Sequence, residues 1–173
     1  MQPRFHIITA VTRPDNLNRI AAELMGLAAR HDLIWHLAFD PHRRAVGGQK
    51  VKNNILDQIA CEPRNWLLIL DDDTLPHPEL LDVAGAEIQM DAQLQAIVVS
   101  QQRRDGSVLR PCPHKLAVGR IDAGQVILRR TFVAGRRIPD DYSGDGMFLT
   151  DLLTRAPGVM FLDRVLSFHN ALG

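Results

Sequence analysis

The chain has 173 residues, 46% of them hydrophobic, and its 20 Lys and Arg residues balance its 20 Asp and Glu residues. This length is enough for one domain with a buried core, and the zero net charge argues against a nucleic-acid partner, which usually requires a basic excess. The apolar runs are too short for a membrane span, and residues 1–4 show no signal-peptide pattern. We therefore expect a cytoplasmic protein.

Buried strand patterns alternate with amphipathic helix patterns through the first hundred residues. The predicted elements are strand 4–9, a helix capped by Asp15 with an apolar face over 17–28, strand 33–39, a loop over 42–50, a helix with an apolar face over 51–59, strand 66–70, helix 78–90 and strand 94–100. Such alternation requires crossover connections, which place helices on both faces of a mostly parallel sheet.

The alternation breaks down after Gln101. A hairpin is predicted around Asp105-Gly106, a helix over 145–155, and two short strands over 159–162 and 165–169. We therefore predict one Rossmann-like α/β domain with a mixed, mostly parallel sheet.

Three consecutive carboxylates, Asp71 to Asp73, follow the third predicted strand directly. Ligands of open α/β sheets bind beyond the carboxyl ends of the strands. If the chain stays extended, Asp71 and Asp73 point to one side and Asp72 to the other. Two carboxylates on one side need a compensating charge, which a divalent cation with oxygen ligands supplies. The alternative is that Asp73 or Thr74 caps the next helix; one Asp would suffice for that, so we favour a metal.

Polar residues also follow the other predicted strands. Thr9 to Arg13 end the first strand and Asp40 ends the second, although Asp40 could simply be a turn residue before a proline. Lys50, Lys52 and Asn53 open the helix before the third strand. They could meet anionic oxygens at that helix N-terminus, or they form an ordinary solvated helix start.

These motifs, in this order, resemble the family 2 glycosyltransferases of GT-A fold, and the resemblance runs nearly end to end. The turn Thr9–Pro14 is similar to the nucleotide-binding opening of that family, and Asp40 stands at its acid for the nucleobase or ribose. The segment "VKNNILDQI" resembles its Arg-Asn helix, with Lys52 in place of the usual Arg. The segment "LLILDDDTLPHPELL" resembles its DxD motif, Asp71-x-Asp73.

The second half of the chain carries two further parts of the resemblance. The segment "SGDGMFLTDLL" is similar to the helix that bears the catalytic base, which places the base at Asp145, while Gly144 stands where Glu is usual. The segment "RVLSFHN" is similar to the terminal strand of the family with its metal-binding histidine, here His169.

The resemblance implies a metal-dependent, inverting glycosyltransferase of the hexosyltransferase type. It would move a sugar from a nucleotide-diphosphate donor, UDP-linked by analogy, to a hydroxyl of a polysaccharide, lipid-linked glycan or protein. Residues 1–100 would bind the donor and residues 101–173 the acceptor. The implied donor-binding residues are Thr9, Val11, Thr12, Arg13, Asp40, Lys52, Asn53, Asp71 and Asp72. The implied metal is Mn²⁺ or Mg²⁺, held by Asp73, Asp71 and His169, and the acceptor side would comprise Asp122, Gln125 and Gly144.

Several of these roles have alternatives. Asp145 could cap its helix, with Asp140 or Asp141 as the base, and His169 at the end of an apolar strand could be structural. The segment 119–130, with Asp122 and Gln125, could line the acceptor side or form an ordinary hairpin corner.

Three other functions compete with glycosyl transfer. A haloacid-dehalogenase-type phosphatase needs Thr two places after its second Asp, where this chain has Leu75. A nucleotidyltransferase expects a Gly-rich loop after the first strand, and residues 9–16 contain no glycine. A non-catalytic nucleotide-binding or scaffold domain would fit the shortness of the chain, which also favours a homo-oligomer or a partner protein. The presence of both Asp71-x-Asp73 and Asp145 favours an enzyme.

Overall fold

The computed structural model describes residues 2–40 and 48–172, so part of the predicted loop over 42–50 lies outside the described residues. In chain order the elements are β1 (Arg4–Val11), α1 (Leu17–Ala28), β2 (Asp32–Phe39), α2 (Gln49–Gln58), β3 (Asn65–Ile69), β4 (Leu75–Pro76), α3 (Leu80–Met90), β5 (Ala96–Arg103), β6 (Val108–Leu109), β7 (Val126–Arg129), α4 (Gly144–Arg155) and β8 (Val159–His169).

The described strands form one sheet in the order β2-β1-β3-β7-β5-β8-β4, with β6 paired to β5. Strand β1 is parallel to β2 and β3, and β5 is parallel to β8. Strand β7 runs antiparallel between β3 and β5. The predicted mixed, mostly parallel sheet is therefore confirmed. Because β7 inserts between strands from the first hundred residues, both halves of the chain share this sheet.

Helices cover both faces of the sheet. Successive side chains of β3 point to opposite faces, so its apolar side chains need a packing partner on each face. Trp66 and Leu68 pack in the core cluster that contains α1 and α3, whereas Leu67 and Ile69 pack in the cluster that contains α2 and α4. Each large apolar side chain buried in this way contributes about 1.5–3 kcal/mol relative to exposure. Burial on both faces explains why the strand is continuously hydrophobic.

The predicted helix cap at Asp15 is wrong, and the alternative in which Asp73 or Thr74 caps the next helix is excluded as well. Asp15 lies inside a 3₁₀ turn, Pro14–Asn16, because the fixed φ of proline favours a tight turn there, and α1 begins after it. Helix α3 begins at Leu80 with Glu79 at the N-cap position, so neither Asp73 nor Thr74 caps it. The carboxylates after β3 therefore need another explanation than helix capping.

The last part of the chain differs from the prediction of two short strands. Strand β8 is continuous over Val159–His169. An irregularity in its register against β5, around Ser100, accommodates the polar residues at its middle without ending the strand. The predicted hairpin is confirmed: β5 and β6 pair around Gly106, whose φ of +84° favours glycine. In the described part of the chain, no helix combines the length and the apolar character needed to cross a membrane.

Candidate active site

A cavity of about 670 Å³ opens where the carboxyl ends of β1, β3 and β8 meet the N-terminal ends of α2 and α4. This is the edge at which open α/β sheets bind ligands, and the volume suits a small molecule. The described residues that line it are Ala10, Thr12, Arg13, Gly48, Gln49, Lys52, Asp71, Asp72, Asp73, Val118, Gly119, Ile121, Asp122, Tyr142, Ser143, Asp145, Gly146, His169 and Asn170.

Lys52 and Asp71 form an ion pair on the cavity wall. Lys52 lies on the buried side of α2 with Ile55 and Leu56, and its Nζ lies 2.9 Å from Oδ1 of Asp71. Burial by itself would raise the pKa of Asp71, but the nearby ammonium outweighs it, so the pKa lies below its ordinary value. The pKa of Lys52 is likewise raised, because the carboxylate outweighs the effect of burial. Both groups are therefore charged at neutral pH.

Asp72 joins the β1–α1 loop to the end of β3. Its Oδ2 accepts hydrogen bonds from Thr12 N at 2.6 Å, Thr12 Oγ1 at 3.0 Å and Arg13 N at 2.6 Å. Its Oδ1 accepts from Arg13 Nε at 2.9 Å, and its carbonyl oxygen accepts from Asn16 Nδ2 at 2.8 Å. So many donors satisfy a nearly fully buried carboxylate, which makes Asp72 a structural anchor of the site.

Arg13 bridges Asp72 and Asp73. Its Nη2 lies 2.9 Å from Oδ1 of Asp72 and 2.7 Å from Oδ2 of Asp73. The chain does not stay extended, which was the condition for Asp72 to point away from Asp71 and Asp73. Strand β3 ends at Ile69, and the acids lie in a turn closed by a hydrogen bond from Thr74 N to Asp71 O at 3.0 Å. The three acids are thus compensated by two side-chain cations of the protein.

Asp145 lies in the first turn of α4, on the cavity wall. Ser143 holds the N-cap position, and Asp145 Oδ1 accepts from the adjacent Gly146 N at 2.8 Å. Burial, with a smaller contribution from Asp71, raises the pKa of Asp145 despite the opposing charge of Lys52. A carboxyl with a raised pKa beside a cavity has the character of a general base.

The two alternative bases are placed elsewhere. Asp140 pairs with Lys50, its Oδ2 lying 3.1 Å from Nζ, and both side chains are exposed. Asp141 Oδ1 accepts a hydrogen bond from Ser143 N at 2.8 Å and so shapes the turn before α4. Neither residue lines the cavity.

Gly144 has no room for the glutamate that is usual in the resembled family. A Cβ atom there would lie 2.1 Å from the carbonyl oxygen of Pro139 and 3.5 Å from Cγ of Gln49. Gln49, which sequence reasoning missed, is buried on the cavity wall, and its Oε1 has no hydrogen-bond partner within the described residues. Its place at the start of α2, directly before Lys50, is the signal that could have found it.

Asp122 is held rigidly beside His169. Its Oδ1 accepts from Gln101 Nε2 and from Gly124 N, both at 2.9 Å, and its backbone N donates to Gln125 Oε1 at 3.0 Å. Its Oδ2 lies 3.7 Å from Nδ1 of His169. Gln125 is itself buried and supports Asp122 from beneath, so of the predicted acceptor-side residues only Asp122 lines the cavity.

Four of the predicted donor-binding residues lie outside the cavity lining. Thr9 is buried and accepts a hydrogen bond from Trp35 Nε1 at 3.1 Å, and Val11 is buried in β1. The Asn53 side chain pairs with both the N and the O of Ile138. Asp40 is buried at the border of the undescribed residues. A role of these four residues in donor binding stays a prediction.

The described residues alone do not form a complete ligand cage for a metal ion. In the part of the chain that the structure describes, no three His, Cys, Asp or Glu side chains cluster closely enough to hold a metal. Binding by Asp71, Asp73 and His169 therefore stays a prediction. Mg²⁺ and similar ions commonly use one or two carboxylates plus substrate phosphates, and Asp71 and Asp73 present such carboxylates.

The charges on the cavity wall favour an added cation. Among the described lining residues, five aspartates face only two permanent cations, Arg13 and Lys52. An anionic ligand entering alone would meet this surplus of negative charge, which a divalent ion would reduce.

Comparison with known proteins identifies the fold. No protein-family model and no curated protein sequence matches the chain. The inositol-1-phosphate CTP transferase from T. maritima aligns with a TM-score of 0.54 and 13% identity, over 98% of this chain and 90% of that one. A glycosyltransferase involved in the glycosylation of the major capsid of PBCV-1 aligns with a TM-score of 0.51 and 10% identity, over 96% of this chain and 92% of that one. The chain thus has a fold that it shares with a glycosyltransferase and with a nucleotidyltransferase.

Proposed function

We propose that the chain is a metal-dependent, inverting glycosyltransferase that moves a hexosyl group from a nucleotide-diphosphate donor, UDP-linked by analogy, to a hydroxyl of a polysaccharide or lipid-linked glycan. The observation that carries the proposal is the place of Asp145, a partly buried carboxyl in the first turn of α4 on the wall of the cavity. Two cations, Lys52 and Arg13, line the same cavity and suit the phosphates of the donor.

A carboxyl at the position of Asp145, on the cavity wall in the first turn of α4, suits glycosyl transfer better than nucleotidyl transfer. An acceptor hydroxyl must lose its proton as it attacks, and a positioned carboxylate is a suitable base. In nucleotidyl transfer to a phosphorylated sugar, the attacking phosphate oxygen is already ionised and needs no base. A general base at Asp145 would therefore be needed for glycosyl transfer but not for that reaction.

In the proposed step, the acceptor oxygen forms a bond to C1 of the sugar while the bond from C1 to the diphosphate oxygen breaks. The hydroxyl proton passes to Asp145, and the electron pair of the broken bond leaves with the diphosphate. Lys52 and Arg13 stabilise the charge that develops there. A Mn²⁺ or Mg²⁺ ion held by Asp73 and Asp71, with His169 nearby, would add Lewis-acid stabilisation of the leaving group. Direct attack from the opposite face inverts the anomeric carbon.

The acceptor would approach from the side of Asp122 and Tyr142. Asp122 is fixed by Gln101 and Gly124, which leaves Oδ2 to accept a hydrogen bond from a sugar hydroxyl. Tyr142, 86% exposed at the cavity rim, offers an aromatic face on which a sugar ring can lie.

Nucleotidyl transfer is the second candidate, because the CTP transferase from T. maritima shares the fold. The two reactions release different products, so one assay separates them. The protein is incubated with Mn²⁺ and either UDP-glucose or CTP plus a sugar phosphate, and release of UDP or of pyrophosphate is measured. Release of UDP supports glycosyl transfer, with water as the substitute acceptor, whereas release of pyrophosphate alone overturns it.

Two variants connect the activity to the site. Asp145→Asn is expected to keep UDP binding, measured as a thermal shift with Mn²⁺, and to lose UDP release, because the base is gone. The matched control is Asp140→Asn, whose carboxylate lies outside the cavity lining. Asp73→Ala should abolish the metal-dependent thermal shift. A protein that binds no nucleotide even with Mn²⁺ would overturn the proposed glycosyl transfer.

A further inference from the structure

We propose that Arg103, Lys115 and Arg120 form a basic rim beside the cavity that binds the acid groups of an anionic glycan, and that such a glycan is the acceptor. The acceptor role rests on the proposed function, whereas binding of the glycan to the basic rim does not. The segment 103–120 carries five of the 20 Lys and Arg residues and one of the 20 Asp and Glu residues of the chain. A chain without net charge therefore has one strongly positive segment.

The charges of the basic rim are not compensated by neighbouring acids. All three side chains belong to exposed residues, and none forms an ion pair with a residue that the structure describes. Asp105, the one acid of the segment, instead accepts hydrogen bonds from Ser107 N and Ser107 Oγ. Exposed arginines elsewhere do form ion pairs, as Arg155 does with Asp151 at 2.6 Å. The basic rim is therefore available to an anion from outside the chain.

Arg103 lies at the carboxyl end of β5, next to the cavity. It pairs with His169 of β8, which lines the cavity, and neighbouring strands lie about 4.8 Å apart. Two positions earlier, Gln101 Nε2 donates to Asp122 Oδ1 at 2.9 Å. Side chains two positions apart in a strand point to the same face. Arg103 therefore points to the face on which Gln101 holds Asp122 at the cavity wall.

The other two cations lie in the loop that forms part of the cavity wall. Arg120 stands between Gly119 and Ile121, which both line the cavity. Lys115 lies three positions before Val118, another lining residue, so their Cα atoms are at most about 11 Å apart. No cation of the basic rim is itself among the described lining residues. The basic rim thus borders the cavity from outside, within reach of a ligand that extends out of it.

This arrangement suits an acceptor glycan that carries carboxylate groups. A guanidinium binds a carboxylate through two parallel hydrogen bonds, and an ammonium adds a further positive charge. Within the described cavity lining, five aspartates would repel an acid group. The uncharged sugar that bears the attacking hydroxyl would therefore enter the cavity, while the acid groups of the neighbouring sugars stay at the basic rim.

The surface fits an anionic glycan better than an acidic membrane. Lipid headgroups also attract exposed cations, but binding in the membrane interface additionally uses large apolar side chains beside them. In the segment 103–120, which the structure describes completely, Val118 is the only exposed large hydrophobic residue, and it lines the cavity. The basic rim thus lacks an apolar anchor of its own.

The first test is direct binding of oligosaccharides, measured by isothermal titration calorimetry. Oligogalacturonate should bind the natural chain more tightly than a neutral malto-oligosaccharide of equal length, and added salt should weaken its binding because salt screens exposed charges. The triple variant Arg103→Gln, Lys115→Gln, Arg120→Gln should bind oligogalacturonate about tenfold more weakly, the effect expected of three exposed ion contacts. If the triple variant does not fold, the single variants replace it, and each should bind about twofold more weakly.

The matched control removes the same number of charges elsewhere. The variant Arg19→Gln, Arg155→Gln, Arg164→Gln changes exposed arginines outside the segment 103–120 and should keep the affinity for oligogalacturonate. Equal losses in the two triple variants would mean that only net charge matters, and this overturns the inference. Vesicles that contain phosphatidylglycerol test the membrane: a natural chain that binds these vesicles but not oligogalacturonate also overturns it.

The second test is release of UDP from UDP-glucose with Mn²⁺. Oligogalacturonate should accelerate it more than the malto-oligosaccharide does, and equal acceleration by both would overturn the acceptor role. A chain that releases UDP but does not bind oligogalacturonate loses this inference and keeps the proposed function. Conversely, a chain that binds oligogalacturonate through the basic rim but releases no UDP with any acceptor loses the proposed function and keeps the glycan-binding surface.

Discussion

Lys52 Nζ lies 2.9 Å from Asp71 Oδ1, and the lysine side chain is 1% exposed whereas the aspartate side chain is 33% exposed. An ammonium buried to this degree is tolerated only beside an opposite charge. Lys52 therefore compensates the charge of Asp71, the first of the three acids after β3. Arg13 compensates the charges of the other two, Asp72 and Asp73. The protein itself provides the charge that allows acids to collect at the end of a buried strand.

Lys52→Gln should lower the free energy of unfolding by about 1–3 kcal/mol. Breaking a fully buried pair costs about 3–5 kcal/mol, and the partial exposure of Asp71 reduces this because solvent screens its charge. Urea denaturation measures the change. Lys50→Gln is the matched control on the same helix: its ion pair with Asp140 is exposed, and the expected change is within about 0.5 kcal/mol. Equal losses in both variants would contradict a stabilising role for the buried ion pair between Lys52 and Asp71.

The difference in unfolding free energy between the natural chain and Lys52→Gln should depend on pH. Lys52 lowers the pKa of Asp71 in the folded protein, so the pair stabilises the fold fully above the unfolded pKa of about 3.9. The difference in unfolding free energy should shrink as the pH falls from about 3.9 through the lowered pKa of Asp71. Denaturation series from neutral to acidic pH measure it, and a constant difference would argue against an ionised pair.

Asp145→Asn should raise the unfolding free energy at neutral pH. Burial raises the pKa of Asp145, so ionising this carboxyl costs more in the folded than in the unfolded state, and stability falls as pH rises from the ordinary pKa through the raised one. A neutral amide avoids this cost. The gain, measured as a shift in Tm, should vanish below about pH 3.9, where both states are protonated. Asp140→Asn, whose carboxylate is exposed and lies outside the cavity lining, is the matched control.

Gly144→Ala should destabilise the protein by about 1–3 kcal/mol, because the added Cβ would lie 2.1 Å from the Pro139 carbonyl oxygen and the backbone must shift. Gly26→Ala in α1 is the control. Its Cβ would meet nothing within 4 Å, and alanine in a helix should stabilise by up to about 1 kcal/mol. Thermal unfolding compares the two, and a stable Gly144→Ala would show that the turn before α4 adapts easily.

Asp72→Asn should lower the unfolding free energy more than Asp73→Asn. Asp72 accepts from two backbone N–H groups, a hydroxyl and a guanidinium, and each hydrogen bond involving a charged group is worth about 1.5–3 kcal/mol. An amide nitrogen cannot accept, so at least one donor is left unpaired. A loss of about 2–4 kcal/mol by urea denaturation is expected; a larger loss for Asp73→Asn would reverse the assigned roles.

The resemblance and the strand pattern together predicted more of the fold than of the site. Buried strands and amphipathic helices are local patterns, so the main strands and helices of the first hundred residues and the mixed sheet were correct. One error fell where a neighbouring strand decides the outcome: β8 stays continuous because β5 pairs with it on both sides of the irregularity around Ser100. The cap assigned to Asp15 failed because the turn begun by Pro14 includes that residue.

Prediction of the site was weakest for residues that act through contacts distant in sequence. Thr12, Arg13, Lys52, Asp71 and Asp145 were predicted, and all five line the cavity. Gln49 and Gln101 were missed, because a glutamine carries no motif.

The sequence by itself determined that three acids follow a buried strand, since both features are contiguous in the chain and depend only on local burial. It did not determine which cations would neutralise them. Arg13 meets Asp72 across 59 positions and Lys52 meets Asp71 across 19. Those pairings exist only because parallel strands place their carboxyl ends, and the loops and helices beside them, at the same edge of the sheet.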